Sequence, residues 1–539
     1  MRWWGWGDDA HAVDLPEAAL SPLSERLGAD PGVRARPVAL EDVRVPEVSL
    51  APATRGRLEQ AVGAEAVTQE RLARIVHAAG KSYPDLVRLR RGDASNAPDA
   101  VVAPGSAEEV GAVLAICADA RVAVVPFGGG TSVVGGVEPV SDGFAGAISL
   151  DLRRLDGLEA LDRVSLTASL GAGLLGPEAE RRLAREGLTL GHLPQSFEFS
   201  TVGGWVATRS AGQASTGYGR IDELVEGLRL VAPAGELAAR PLPASAAGPD
   251  LRELLMGSEG VLGVICEATL RLRPLPAVRR YEGWSFRSFA EGCEALRVME
   301  QADAGPDVAR LSDEEETELS SALAPGGGAE RIGRTYLRMR GHEAGCLAIV
   351  GFEGEAREVE RRRRRAAGLL REGGGLGLGR RPGEIWQRSR YGGPYLRDAL
   401  LDHGVMVDTL ETATSWSNLP AVHAAVGRAL REALGNRGTP ALVMCHVSHL
   451  YRSGASLYFT FLARQERDEP LEQWRAAKSA ASEAIVASGA TITHHHAVGR
   501  DHRPWMRAEV GELGIELLRA VKERLDPAGI MNPGKLLPD

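Results

Sequence analysis

Lysine is almost missing from this chain. Of its 63 basic residues only Lys81, Lys478, Lys522 and Lys535 are lysines, and acidic residues outnumber basic ones to a formal net charge of −9. That balance argues against general nucleic-acid binding, whose phosphate-neutralising contacts need a basic face. Cysteine is sparse too: Cys117, Cys266, Cys293, Cys346 and Cys445 stand apart, with no Cys-x-x-Cys pair. That spacing fits neither a disulfide framework nor a thiolate zinc site and points to a reducing, intracellular setting. No apolar run reaches the roughly 18 residues that a membrane span requires. Residues 1–9 lack the apolar stretch of a secretion signal, and Leu537-Pro538-Asp539 is not a peroxisomal tail. A cytoplasmic protein is expected.

At 539 residues the chain exceeds what one core supports, so two or three domains are expected. Its texture divides into an N-terminal arm with short helices over 1–95, an alternating strand–helix unit over 96–276, a second mixed unit over 277–500 and a helical tail over 501–539. Periodicity predicts helices over 70–79, 107–120, 177–186 and 510–525. Strands are predicted at Val101-Val102 and over 122–126, 147–150 and 267–276. Tyr83-Pro84 reads as a break after the first helix, and the glycine-rich 373–379 as the least ordered stretch. The five arginines at 361–365 suggest phosphate binding but read as a solvated helix face.

Four features carry chemistry. Pro126-Phe127-Gly128-Gly129-Gly130-Thr131-Ser132 follows a buried strand. Glycines there let a ligand approach the backbone, whose N–H groups can cradle a pyrophosphate, although a plain tight turn has the same pattern. It is neither a Rossmann fingerprint nor a P-loop. Gln195-Ser196-Phe197-Glu198-Phe199-Ser200-Thr201 and Glu259-Gly260-Val261-Leu262-Gly263-Val264-Ile265 are two further loops of this kind. The fourth feature is His494-His495-His496, three adjacent residues of a total of 12 histidines, which concentrate groups titrating near neutral pH. Neighbouring strand residues alternate faces, so three in a row converge poorly on one ion, and no metal is expected. On pattern alone Tyr458 is a core strand residue, and Arg397 beside Asp398 a surface ion pair.

In their order and spacing the three loops resemble the FAD-binding domain of the vanillyl-alcohol-oxidase, or PCMH-type, flavoproteins. The resemblance implies FAD wrapped by these loops, with Thr208, Arg209, Ser210 and Ala211 adding contacts. Thr131 stands where covalently flavinylated members carry histidine, so non-covalent FAD is implied. The match narrows through Trp3-Trp4-Gly5-Trp6-Gly7, Ser82-Tyr83-Pro84-Asp85-Leu86, Gly191-His192-x-Pro194-x-Ser196, Ser200-Thr201-Val202-Gly203-Gly204-Trp205, Tyr395-Leu396-Arg397-Asp398, Glu411-Thr412, Gly454-Ala455-Ser456-Leu457-Tyr458-Phe459 and the histidine triplet. Over its whole length the chain is similar to the alkyldihydroxyacetonephosphate synthase family.

That resemblance implies an α+β protein: a two-subdomain FAD-binding domain, a cap of antiparallel sheet and helices, and a C-terminal helical segment returning to the FAD domain. It implies exchange of the acyl group of acyl-dihydroxyacetone phosphate for a long-chain alcohol in ether-lipid synthesis, without net redox change. Tyr458 would be the acid/base, its phenol pKa lowered by nearby positive charge. Arg397 would clamp phosphate, Arg310 would lie near substrate and flavin, and His494, His495 and His496 would form the floor. A homodimer with peripheral membrane contact is expected. The chain departs from the family at Ala497 (glycine there), Gln195 (aspartate) and His446 (arginine). Its ending Met531-Asn532-Pro533-Gly534-Lys535-Leu536 resembles FAD-linked D-lactate and glycolate dehydrogenases, so oxidation of a 2-hydroxy acid is the alternative activity.

Overall fold

The computed structural model describes residues 1–15, 17–30, 32–323 and 328–538; Asp539 of the tail tripeptide lies outside them. Among the described residues there are three sheets of four, five and seven strands, with one further two-stranded pairing. The four-stranded sheet runs in the order Val67–Thr68, Ala100–Val102, Ala147–Asp151, Ala123–Phe127, and the last three strands are parallel. Its three parallel strands are buried along nearly their whole length without alternation because both faces are covered. Helix Ala107–Ala120 makes the crossover, and Ser106 caps its start by accepting from Glu109 N. The C-terminal segment closes this sheet, with Val124 bridging Met531 and the buried Lys535 ammonium donating to the Glu138 and Pro533 carbonyls.

A five-stranded antiparallel sheet follows, in the order Leu158–Asp162, Thr167–Gly171, Val264–Arg271, Val225–Ala232, Gly235–Ala239. The strand expected over 267–276 therefore starts earlier. It also divides, since Arg273–Pro274 pairs separately with Leu188–Thr189.

The seven-stranded sheet is antiparallel throughout: Leu376–Gly379, Val278–Phe286, Cys346–Gly354, Val308–Ser312, Ala441–Leu450, Gly454–Arg464, Val405–Ser415. Period-2 alternation sorts its strands. On Gly454–Arg464, Ala455, Leu457, Phe459, Phe461 and Ala463 enter the core under helices Leu419–Gly435 and Pro470–Ala487. Burying Phe459 and Phe461 contributes about 2 kcal/mol each. That leaves Tyr458, Thr460 and Leu462 on the other face.

Several local expectations need correction. The first helix is shorter, Arg71–Val76, and a new one, Tyr83–Arg90, begins at the supposed break. Pro84 sits in its first turn, where a missing N–H costs nothing, and Ser82 and Asp85 close a capping box. Glycines 373–379 end in an edge strand, Leu376–Gly379, paired to Val278–Phe286. The arginine run lies on helix Ala356–Glu372. Arg361 and Arg364 pair along its surface, but Arg362 and Arg363 reach the buried Asp307 and Glu282. The tail helix, Met506–Leu525, kinks at Gly511. Among the described residues no helix is long and apolar enough to cross a membrane.

Candidate active site

Glu411, Tyr458 and His446 are direct cross-strand partners on the cap sheet. One pleat further lie Thr409, Thr460 and Met444, and the next row is Val407, Leu462 and Leu442. The face therefore grades from ionisable to apolar across two pleats. It walls a cavity of about 500 Å³. The opposite wall carries Gly128, Gly129, Gly130, Thr131, Ser132, Gln195, Ser196, Ser200, Thr201, Thr208, Ser210 and Ala211. Leu15, Leu20 and Leu23 from the N-terminal arm, with Leu396 and Leu400, close the apolar end.

The histidine triplet is not on a strand, so the face-alternation reasoning does not apply to it. It lies in a loop wrapped around the carboxylate of Glu411, which is 1% exposed. Glu411 accepts from the backbone N–H groups of His494 (2.7 Å), His495 (2.8 Å) and His496 (2.7 Å) and from the Thr493 hydroxyl (2.8 Å). Burial acts to raise its pKa, yet the three imidazoles and these donors outweigh burial and hold it well below the usual carboxylate range. Burial keeps the rings neutral in turn: it pulls His495 and His496 to about 4 and His494 well below its ordinary value.

His449, from the neighbouring strand, brings its ligand atom within 4.8 Å of those of His494 and His495. The donor set is nevertheless committed to hydrogen bonds. His449 Nε2 meets the Gly212 carbonyl at 2.9 Å and its Nδ1 meets the Ser448 and Ser456 hydroxyls. His494 Nδ1 meets His495 Nδ1 at 2.9 Å, and His494 Nε2 meets the Tyr451 hydroxyl at 2.5 Å.

Tyr458 stacks on His446 with ring centroids 4.9 Å apart and meets His496 edge-on at 5.4 Å. The expected lowering of its pKa is reversed. Burial pushes the phenol up to about 12, and the Glu411 and Asp408 carboxylates add to that more than the weaker effect of Arg310 removes. Arg397 lines the cavity, donating from Nη1 to the Lys81 carbonyl (2.8 Å) and from Nη2 to Asp398 (3.3 Å), while its buried Nε has no partner. Lys81 N donates to Ser132 O at 2.6 Å, so one residue ties this arginine to the first glycine loop. Arg310 also reaches the cavity, but Glu316 and His446 hold its guanidinium.

The other predicted cofactor residues divide. Pro126 and Phe127 end a strand behind the first loop. Phe197 stacks on Tyr391 and Phe199 packs edge-on against Trp6, and neither they nor Glu198 line the cavity. Arg209 turns away to Asp222 and Glu253. Of the third loop, Glu259 accepts from Val498 N and Gly499 N, and Gly260, Val261, Leu262, Gly263, Val264 and Ile265 are buried behind the wall.

The first two loops suit FAD. Among the described residues nothing accepts from the backbone N–H groups of Gly129, Gly130 and Thr131, which line the cavity. Free N–H groups on a glycine turn make an anion cradle. A Cβ on Gly129 would lie 1.8 Å from Phe199 O, and one on Gly128 2.3 Å from Thr201 Oγ1, so only glycine lets the first loop close onto the second.

Residues 98–239 match the family described as FAD binding domain, and residues 275–536 the family described as FAD linked oxidases, C-terminal domain. With the cavity between them, these units define an FAD-dependent enzyme of the PCMH-type architecture. The chain is 35% identical to the alkyldihydroxyacetonephosphate synthase of Dictyostelium discoideum over 100% of this chain and 93% of that protein. It is 33% identical to that of Trypanosoma brucei brucei over 100% and 92%. A solved structure of an alkyldihydroxyacetonephosphate synthase superposes with a TM-score of 0.86 at 33% identity, covering 99% of each chain. The chain belongs to the alkyldihydroxyacetonephosphate synthase family.

Proposed function

We propose that this protein replaces the acyl group of acyl-dihydroxyacetone phosphate with a long-chain alcohol, forming the ether bond of ether lipids. The observation that carries this reading is the grading of one cavity wall, from Tyr458 and His446 through Thr460 and Thr409 to Val407 and Leu462, with Arg397 also on the cavity's lining. A molecule with a phosphate head and a long chain satisfies both ends. FAD, held without a covalent link, supplies an electron sink for the carbon that exchanges its oxygen substituent.

Arg397 faces the head group with a spare buried N–H, a charge-assisted donor to phosphate. Tyr458, protonated at neutral pH because of its raised pKa, begins as a donor to a substrate oxygen and becomes a base only after giving up that proton. The neutral imidazoles of His495 and His496 offer lone pairs to receive it. The leucine-lined end excludes water, which favours an alcohol over hydrolysis. The protein is further proposed to act as a cytoplasmic homodimer that meets its lipids at a membrane surface, which sedimentation and liposome flotation test.

The deciding experiment is incorporation of labelled hexadecanol into acyl-dihydroxyacetone phosphate by the purified yellow protein. Absence of exchange, with D-lactate or glycolate bleaching the flavin and an electron acceptor turning over, would replace this reading with hydroxy-acid oxidation.

A further inference from the structure

The His494–His495 pair stands between two cavities. His495 is on the wall of the main one, while His494, Thr493 and Tyr451 are on the wall of a second, of about 340 Å³, beside Arg209 and Arg220. The Arg209 side chain is 33% exposed, so bulk water reaches this second space. Two hydrogen bonds cross between them: His495 Nδ1 to His494 Nδ1, and His494 Nε2 to the Tyr451 hydroxyl.

Two Nδ1 atoms in contact require that one carry the proton and the other the lone pair. Only two arrangements satisfy both contacts while the rings are neutral. In one, His495 Nδ1–H donates to His494 Nδ1 and His494 Nε2–H donates to the Tyr451 oxygen, leaving His495 Nε2 with a free lone pair. In the other, Tyr451 O–H donates to His494 Nε2 and His494 Nδ1–H donates to His495 Nδ1, leaving a proton on His495 Nε2. Passing from the first to the second takes one proton up at His495 Nε2 and releases one from the Tyr451 hydroxyl. The bonds that the His494 and His495 backbone N–H groups donate to Glu411 keep the rings in register.

We infer that His495, His494 and Tyr451 form a proton exit from the active cavity to the second, water-accessible cavity. The inference rests on the exchange activity proposed above and supplies something that activity needs. In the exchange the bond from carbon to the carboxylate oxygen breaks and a bond from that carbon to the alcohol oxygen forms. The alcohol loses its proton, and the acid leaves as carboxylate at neutral pH, so each turnover frees one proton. The leucine-lined end of the cavity has no group to carry it. Burial lowers the basicity of both imidazoles, so they pass a proton on instead of storing it.

The test is Tyr451→Phe in the FAD-loaded full chain, which keeps the ring and removes the hydroxyl. FAD content and KM should stay at wild-type values while kcat in dilute buffer falls about tenfold or more. Added imidazole should restore the lost rate to the variant and leave the wild type unaffected. In 15N-histidine spectra, which need no substrate, His494 should change tautomer balance because its Nε2 has lost a donor. A variant whose rate is unchanged, or falls without any response to imidazole, overturns the exit. So does loss of FAD, or stoichiometric metal in the wild-type protein, since either gives these groups another task. If the wild type shows no exchange, the proposed activity fails by itself. The spectra then decide the relay, and an unaltered His494 sinks it.

Discussion

Replacing Glu411 with glutamine isolates the contact on which the histidine loop depends. Oε1 accepts from Thr493, His495 N and His496 N, and Oε2 from His494 N. A glutamine has one carbonyl oxygen. It can keep the three-bond cluster only by turning its NH₂ towards the His494 N–H, which then has no acceptor. Losing a bond to a charged acceptor costs about 2 kcal/mol, and exchanging a charged for a neutral acceptor weakens each remaining bond by about 1 kcal/mol. Relaxation recovers part of this, so a loss on the order of 3 kcal/mol is expected. Amide hydrogen exchange reads it locally: His494, His495 and His496 should exchange roughly a hundredfold faster, while the buried strand Val443–Met444 keeps its protection. Melting temperature should fall with it. The charge has its own signature. A carboxylate whose folded pKa is depressed contributes stability that is present above its unfolded value, near ~4.3, and lost only as pH falls through the folded value. The glutamine variant should therefore lose its disadvantage in strong acid. Wild-type exchange rates at the three amides in Glu411→Gln would refute the view that this carboxylate organises the loop.

Tyr458→Phe should lower exchange turnover by about a hundredfold or more while leaving the protein yellow; retained turnover would remove Tyr458 from the chemistry. Arg397→Lys keeps the charge but loses the spare N–H of the fork, so KM for the phosphate-bearing substrate should rise about tenfold with FAD content unchanged, as steady-state assays would read. Burial lowers His192, His449 and His502 to about 3, and His495 and His496 to about 4, against ~6.5 in an unfolded chain. Between those values the unfolded state binds the extra protons, so stability that is full above pH ~6.5 is lost as pH falls. At pH 5 the loss approaches about 2 kcal/mol per histidine. Glu259 and Asp501, raised to about 7 by burial, oppose it, as do the upward shifts of Asp85, Glu180, Glu300 and Asp307. His494, His446, His342 and His403, also lowered by burial, add to the histidine side, which stays the larger set. Melting temperature should drop between pH 7 and pH 5, and a flat profile would contradict the neutral cluster.

What could be read from the sequence was what is local. The glycine loop at 126–132 announces itself because a strand, a turn and free backbone donors are neighbours in the chain. Tyr458 takes its face from strand alternation, and helix Ala107–Ala120 follows its apolar period. The histidine triplet was visible as a cluster, but its geometry was not, because the acceptor that shapes it lies 83 residues before His494. The place of His449 is not legible in the sequence because the pairing of its strand shifts register between Val447 and Leu450, which breaks the alternation, and Tyr451 lies just past the end of that strand, where no alternation applies. The acidity of Tyr458 is not legible in the sequence for a related reason. Nearby positive charge is easy to anticipate from motifs, whereas burial and the Asp408 and Glu411 carboxylates come only with the folded sheet.

The departures from the family are physically informative in the same way. Ala497 adopts φ +73°, the left-handed region that glycine enters freely, so a methyl here is tolerated at a backbone position made for glycine. His446, where the resemblance leads to an expectation of arginine, is the more consequential position. Its Nε2 lies 3.0 Å from Arg310 Nη1 and its Nδ1 lies 3.1 Å from Glu316, which also holds the Arg310 guanidinium. An imidazole can accept from Arg310; a second guanidinium in that place could only donate, and would leave two cations competing for one carboxylate. The histidine therefore turns Arg310 into part of a neutralised cluster behind Tyr458. Arg397, whose Nε is buried without a partner, becomes the cation best placed for a phosphate head. Substrate charge should accordingly be sensed at the Arg397 side of the cavity, and the histidine side is left to handle protons.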